Sequence, residues 1–266
     1  MFKQGGFARA APHLFRQEIY KKNKIRVDKI HAFCYTYNCK QKIPKNKRKE
    51  SKKLEKFIVV DTETTNSIDD PIVYDVGFAV VDAEGNVYEQ HSYVVADVFL
   101  DKDLMSYAYF ADKIPQYWED IKSGKRKLRR FKTIRMIFKD VCRQYEIKKI
   151  FAHNARFDNR SLNLTQRYLT SSKFRWFFPY NTEICDTLKM SRNTLKNVEA
   201  YDQFCWDNDF ITKRGCKRYT AEIIYKFITG KLDFEESHTG LEDVMIEKEI
   251  LKYCLSHDPD FSGKLW

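Results

Sequence analysis

The sequence predicts an α/β fold, a sheet of five strands flanked by helices, over residues 56–256. Three observations predict it. The apolar run Phe57-Ile58-Val59-Val60, rich in β-branched residues, reads as a buried strand and ends in Asp61-Thr62-Glu63. Two further apolar segments, joined by the short turn Ala83-Glu84-Gly85-Asn86, read as an antiparallel hairpin. The second half of the chain then alternates short apolar stretches with helical periodicity, the pattern of a sheet packed by helices.

The elements follow in order. The first strand closes with Thr64-Thr65, and the polar stretch Asn66 to Pro71 is a turn. Tyr74 to Asp82 is the second strand and Val87 to Val95 the third, so the first three form a meander. Residues 99–122 read as helical in pieces: Met105 to Lys113, a break at Pro115, and an apolar turn around Tyr117 and Trp118. Lys122 to Arg130 is a dense basic loop around Gly124. Phe131 to Glu146 is an amphipathic helix, with Ile134, Ile137, Phe138, Val141, Cys142 and Tyr145 at helical spacing. Lys148 to His153 is a fourth short strand and Phe157 to Leu169 another helix. The stretch 174–188 supplies a fifth strand ending at Ile184-Cys185-Asp186-Thr187-Leu188. Helices fill the remainder, among them Ala221 to Thr229 and Glu242 to Cys254, and Asp258 to Trp266 reads as a loose tail.

Composition narrows the class. Of 266 residues 43% are hydrophobic, enough for a real core. No apolar run approaches the ~20 residues that span a bilayer, and no apolar segment follows the basic N-terminus as a secretory signal would require. The seven cysteines are irregularly spaced, as reduced thiols in a cytoplasmic protein would be. His31, Cys34 and Cys39 could supply three zinc ligands with His13 as a conceivable fourth; the alternative is ordinary thiols. The net charge of +11 is concentrated: residues 1–55 hold sixteen Lys and Arg against four Asp and Glu, leaving the rest near −1. Residues 1–55 thus read as a basic extension, either a solvated linker or a phosphate-contacting segment.

The chemistry begins at Asp61 and Glu63. Alternate residues of a strand face the same side, so the two carboxylates converge, and two such charges repel unless a divalent cation lies between them. Two further acidic motifs follow. His153-Asn154-Ala155-Arg156-Phe157-Asp158 comes directly after the fourth strand, and His238-Thr239-Gly240-Leu241-Glu242-Asp243 opens the last long helix. Each admits a plainer reading: loop carboxylates in water, a satisfied core histidine at His153, or first-turn acids that suit a helix dipole at Asp158, Glu242 and Asp243. Their occurrence together and in order is what favours a shared site.

Taken together, the D-x-E, H-N-x-x-F-D and H-x4-D motifs resemble those of the DEDDh branch of the 3′→5′ exonuclease superfamily, which includes proofreading exonuclease subunits, ribonuclease T and oligoribonuclease. Asp186-Thr187-Leu188 also sits where the family often has D-T-L. The resemblance covers about residues 56–256 and implies a ribonuclease H-like domain whose five-stranded mixed sheet has three antiparallel and two parallel strands. It implies hydrolysis of single-stranded DNA or RNA from the 3′ end to nucleoside 5′-monophosphates with two Mg²⁺ or Mn²⁺ ions. By that resemblance Asp61 bridges both ions, Glu63 and Asp243 complete the first site, Asp158 supports the second, and His238 takes the proton of the attacking water. Thr64, Thr65, Asn66, Asn154 and Phe157 would meet the terminal nucleotide, with packing favoured over base stacking for Phe157. Relatives often have Gly where Asn66 stands; Asn tolerates the left-handed conformation such a turn needs. Implied partners are a strand with a free 3′ end and a polymerase or other replication or repair protein, with no membrane. The competing class is a catalytically inactive nucleic-acid-binding or replication-accessory module on the same fold.

Overall fold

The structure, a computed structural model, describes residues 54–171 and 173–265. The basic extension, and with it the possible zinc ligands His13, His31, Cys34 and Cys39, lies outside the described residues.

Six strands form one mixed sheet. They are β1 (Lys56–Thr65), β2 (Ile72–Asp82), β3 (Val87–Val95), β4 (Lys127–Arg129), β5 (Lys149–Ala152) and β6 (Glu183–Asp186), in the order β4-β3-β2-β1-β5-β6. The meander is as expected: β1 pairs antiparallel with β2 and β2 with β3. On the other side β5 joins β1 and β6 joins β5, both parallel. β1 is central and β2 is buried along its whole length, which matches their near-continuous apolar sequence.

The expected count of five strands is corrected to six. The extra one, β4, pairs parallel with the end of β3 through Lys127, Leu128 and Arg129 inside the stretch read as a basic loop. Three residues with two charges carry no strand periodicity; the neighbouring strand supplies the order. The exposed charges of Lys127 and Arg129 suit an edge strand, where they discourage pairing with another chain.

Helices cover both faces. One layer contains α1 (Ala96–Phe99), α2 (Lys102–Met105), α3 (Ile114–Ser123), α4 (Phe131–Gln144) and α5 (Ala155–Tyr168). Its core joins Ile58 and Val60 of β1 to Ile134, Phe138, Leu162 and Phe177. The other layer contains α6 (Thr187–Leu195), α7 (Glu199–Asp207), α8 (Ala221–Thr229) and α9 (Gly240–His257). Its core joins Phe57 and Val59 of the same strand to Met190, Tyr201, Ile224, Val244 and Ile250. Alternate residues of β1 thus serve opposite cores, as strand geometry requires.

Two local expectations also change. Met105 to Lys113 is not a helix: α2 ends at Met105, and only the 3₁₀ turn Ala111–Lys113 follows. Pro115 does not break a helix but sits in the first turn of α3, where its missing N–H costs nothing. The tail is not loose either. Asp186 N–H donates to Gly263 O (3.1 Å) and Leu265 N–H to Ile184 O (3.0 Å), so the tail lies along the free edge of β6. Among the described residues no helix is long and apolar enough to cross a membrane.

Candidate active site

The C-terminal ends of β1 and β5 and the N-terminal ends of α5 and α9 meet at one place. A close approach of backbones allows it. A Cβ on Gly77 of β2 would lie 2.2 Å from the carbonyl carbon of Gly240, and a Cβ on Gly240 would lie 2.7 Å from Gly77 N. Gly77 is the register partner of Asp61. Only glycine at both positions lets α9 begin against the strands, and this brings Asp243 to the first acidic pair.

Asp61, Glu63 and Asp243 each offer a carboxylate oxygen, and these oxygens lie within 4.8 Å of one another. Asp158, on the first turn of α5, is not in that group of three, but accepts a hydrogen bond from Thr62 Oγ1 at 2.8 Å and raises Asp61 through its charge. Burial is the largest influence on each of the four carboxyls. Asp61 is raised well above the usual carboxylate range by burial, then by Glu247, Asp158, Glu63 and Asp243. Glu63 is pushed up to about 9 by burial and then by Asp75 and Asp243. Asp243 is pushed up to about 8 by burial and Glu236. Asp158 is pushed up to about 7 by burial, against hydrogen bonds that lower it. Asp61 Oδ2 is sealed from water and has no hydrogen-bond partner. An orphaned buried carboxylate oxygen inside a ring of carboxyls is costly. Hard oxygen donors at this density fit a divalent cation such as Mg²⁺ or Mn²⁺.

The second motif is held from behind. His153 is a satisfied core histidine: its Nε2–H donates to the Tyr219 carbonyl at 2.8 Å, and Nδ1 lies 3.1 Å from Thr187 Oγ1. Burial lowers its pKa, so the ring stays neutral. Asn154 takes a left-handed conformation (φ 64°) and its N–H donates to Asp186 Oδ1 at 3.0 Å. The same oxygen accepts Leu188 N–H, so Asp186 caps α6 and pins the turn that launches α5. This gives the D-T-L stretch its structural role.

The residues expected to meet the nucleotide divide. Thr64 O accepts Tyr109 N–H (3.4 Å). Thr65 is fully buried with its hydroxyl donating to Leu104 O, which leaves that side chain inside the fold. Asn66 has φ 71°, the left-handed turn expected of it, closed by its Nδ2–H on Asp70 O at 2.9 Å. Asn154 is exposed. Phe157 is half-buried. His238, also left-handed (φ 52°), stacks its ring on Phe110 with centroids 4.3 Å apart and planes 10° apart. Burial lowers its pKa, so the imidazole is neutral and able to accept a proton near neutral pH.

Several residues of the site escaped the sequence reading. Glu247 lies one turn beyond Asp243 on α9, and Glu236 lies just before the third motif. The signal for Glu247 was present: it is a charge in the buried stripe of α9, between Val244, Ile246 and Ile250. Asp75, Tyr117 and Arg126 form a buried network behind the site. Asp75 Oδ2 accepts from Tyr117 OH (2.7 Å), Arg126 Nη1 (3.2 Å) and Gly240 N–H (3.0 Å). Arg126 Nη2 also donates to Glu242 Oε2 at 2.7 Å. No motif could announce residues so far apart in sequence.

No protein-family model matches the sequence, and no curated protein matches it. Solved structures do. The zinc-bound complex of E. coli exonuclease I with single-stranded DNA superposes with a TM-score of 0.50 at 14% identity, over 77% of this chain and 41% of that one. The fold is that of the matched part of exonuclease I. It is the fold that the resemblance to the DEDDh exonucleases implied. A product-bound exonuclease I gives a TM-score of 0.49 at 15% identity, over 78% of this chain and 45% of that one. Exonuclease X in complex with 5′-overhanging duplex DNA gives 0.44 at 17% identity, over 77% of this chain and 95% of that one. The chain matches less than half the length of the exonuclease I chains.

Proposed function

We propose that this protein is a metal-dependent 3′→5′ exonuclease that hydrolyses single-stranded DNA or RNA to nucleoside 5′-monophosphates. The observation that carries the reading is the convergence of Asp61, Glu63 and Asp243 within 4.8 Å, beside Asp158, at one end of the central strand. The fold alone would not license it, because folds host many activities.

Two divalent cations, when bound, would lower the pKa of a water and neutralise charge developing on the leaving 3′-oxygen. Asp61, Glu63 and Asp243 would hold one and Asp61 with Asp158 the other. His238, neutral and braced by Phe110, would take the proton of the attacking water on a ring nitrogen. The terminal nucleotide would rest against the Thr64–Asn66 turn, Asn154 and the half-exposed Phe157.

A second feature supports a polyanionic strand as substrate. A cleft of about 470 Å³ is lined by Arg130, Lys132 and Arg135, by Phe131 and Phe174, and by Asp97, which pairs with Arg130. β4 runs parallel to β3, and β3 parallel to β1 through β2. Arg130 and Phe131 of this cleft therefore follow the same end of the sheet as the carboxylates, whereas Gln166 and Leu169 line it from the far end of α5. Three cations against one acid suit a phosphate backbone, while Phe131 is buried in the core.

The deciding experiment digests 5′-labelled and 3′-labelled RNA and DNA oligomers with Mg²⁺, Mn²⁺ or chelator. A metal-dependent ladder shortening from the 3′ end, with labelled mononucleotide released first from the 3′-labelled strand, is expected; Asp61→Ala should abolish it while binding persists. Oligomers left intact with either metal would overturn the reading in favour of a binding module, and digestion from the 5′ end would overturn the direction.

A further inference from the structure

Glu247 is a buried carboxylate that none of the three motifs contains. It is 3% exposed and lies four residues after Asp243, on the same face of α9. One oxygen, Oε1, accepts the His153 N–H at 3.1 Å and so ties the last helix to the end of β5. The other, Oε2, is sealed from water and has no partner. Asp61 Oδ2 is in the same condition. Glu247 and Asp61 are close enough that Glu247 exerts the strongest charge effect on Asp61, and Asp158 the strongest on Glu247. A carboxylate required only to hold the His153 amide could be replaced by a neutral amide acceptor at lower cost, since burying a charge beside other acids is expensive.

We propose that Glu247 is a fifth carboxylate of the metal centre, its free Oε2 directed at the ion held by Asp61 and Asp158. The inference rests on the metal-dependent reading above and extends it to a residue outside the motif set. It assigns Glu247 two tasks through its two oxygens: Oε1 fixes the second motif against α9, and Oε2 binds the ion. It also makes the site more acidic than four carboxylates would. Ions are then held at lower free concentration, and the metal-free protein carries greater internal repulsion.

The test is Mn²⁺ binding to the full-length protein without nucleic acid, followed by calorimetry and by the electron paramagnetic resonance of free Mn²⁺. The variants are Glu247→Gln, which keeps an oxygen for His153 N–H, and Glu247→Met, which fills a similar volume without a polar group. The expected result is that Glu247→Gln weakens the binding of one ion roughly tenfold or more. Glu247→Met should weaken it as much, and this variant also serves if the first does not fold. Wild-type affinity and stoichiometry in a folded variant would reduce Glu247 to a brace for His153 and overturn the proposal. A wild-type protein that binds no Mn²⁺ would overturn the metal-dependent reading itself, so the two failures are distinct.

Discussion

Glu242 and Asp243 are neighbours on the first turn of α9, yet their carboxyls are driven in opposite directions. Burial raises both. For Glu242, the hydrogen bond from Lys125 and the charge and hydrogen bond of Arg126 outweigh it and hold the group at about 2. For Asp243, Glu236 adds to burial and the group rises to about 8. Register partners on the first two strands differ in their neighbours rather than in direction, since burial raises both. Asp75 faces the guanidinium of Arg126, whereas Glu63 faces Asp61 and Asp243. One side of this small region is an ion-pair network that braces the start of α9. The other gathers acids whose hydrogen bonds come from neutral donors, Thr62 to Asp158 and Thr239 N–H to Asp243, with no cationic side chain bonded to them, which suits a cation from solution. A buried carboxylate is therefore no sign of function by itself; the identity of its neighbours separates brace from site.

The sharpest way to break the comparison is to neutralise the two neighbours in turn. Asp243→Asn should lower metal-dependent hydrolysis by ~10⁴-fold, about 5 kcal/mol of transition-state stabilisation, while the metal-free protein melts higher. Glu242→Gln should show the reverse, with activity largely kept and melting temperature reduced. Equal losses of activity in both would erase the distinction between brace and site.

Removing the brace's cation comes next. Arg126→Met leaves Asp75 buried without its counter-ion, with Glu242 held only by Lys125 and Thr239, and should cost about 3–5 kcal/mol, read by denaturant unfolding. Adding Asp75→Asn should recover part of it, a coupling that a double-mutant cycle measures. Additive losses would show that Arg126 does not act through Asp75.

The pH dependence sharpens the contrast further. Carboxyls raised to about 7–9 keep protons in the fold that the unfolded chain has released. Their stabilisation is full below about pH 4 and is lost as pH rises through those values. Each such proton gives a slope of about 1.4 kcal/mol per pH unit. The unfolding free energy in chelator should thus fall from pH 5 to pH 8, by roughly 3 kcal/mol or more, and Mg²⁺ should flatten the decline. Glu242 works the other way: its contribution is present above its ordinary pKa and is lost as pH falls towards 2. A chelated protein whose stability rises between pH 5 and 8 would contradict the carboxyl assignments.

The smallest effect concerns Phe110. Phe110→Ala removes the ring stacked on His238 and should cost about 1 kcal/mol in the chemical step, a several-fold loss of kcat. With less burial, the imidazole pKa should rise, so the acidic limb of the rate profile should move to higher pH. An unchanged profile would show that the stack does not tune His238.

The local sequence carried much of this. β3 and α8 fall at their expected residues, and Asn66 adopts the left-handed turn. These features depend on alternation, helical period and turn chemistry, which are encoded within a few residues. The short, charged strand β4 and the anchored tail at Gly263 and Leu265 were not legible, because each is ordered by a partner strand. The three motifs marked Asp61, Glu63, Asp158 and Asp243, but no motif marked Glu247, Arg126 or the fit of Gly77 against Gly240.

By itself the sequence determined the α/β class, the strand that bears the first acids, and the three acidic motifs, because periodicity and residue chemistry are local properties. Tertiary structure alone decided which acids meet, and that Asp243 joins Asp61 and Glu63 while Glu242 turns to Arg126. The physical reason is that a carboxyl's charge is set by what surrounds it in space, and here those neighbours are drawn from strands and helices more than a hundred residues apart.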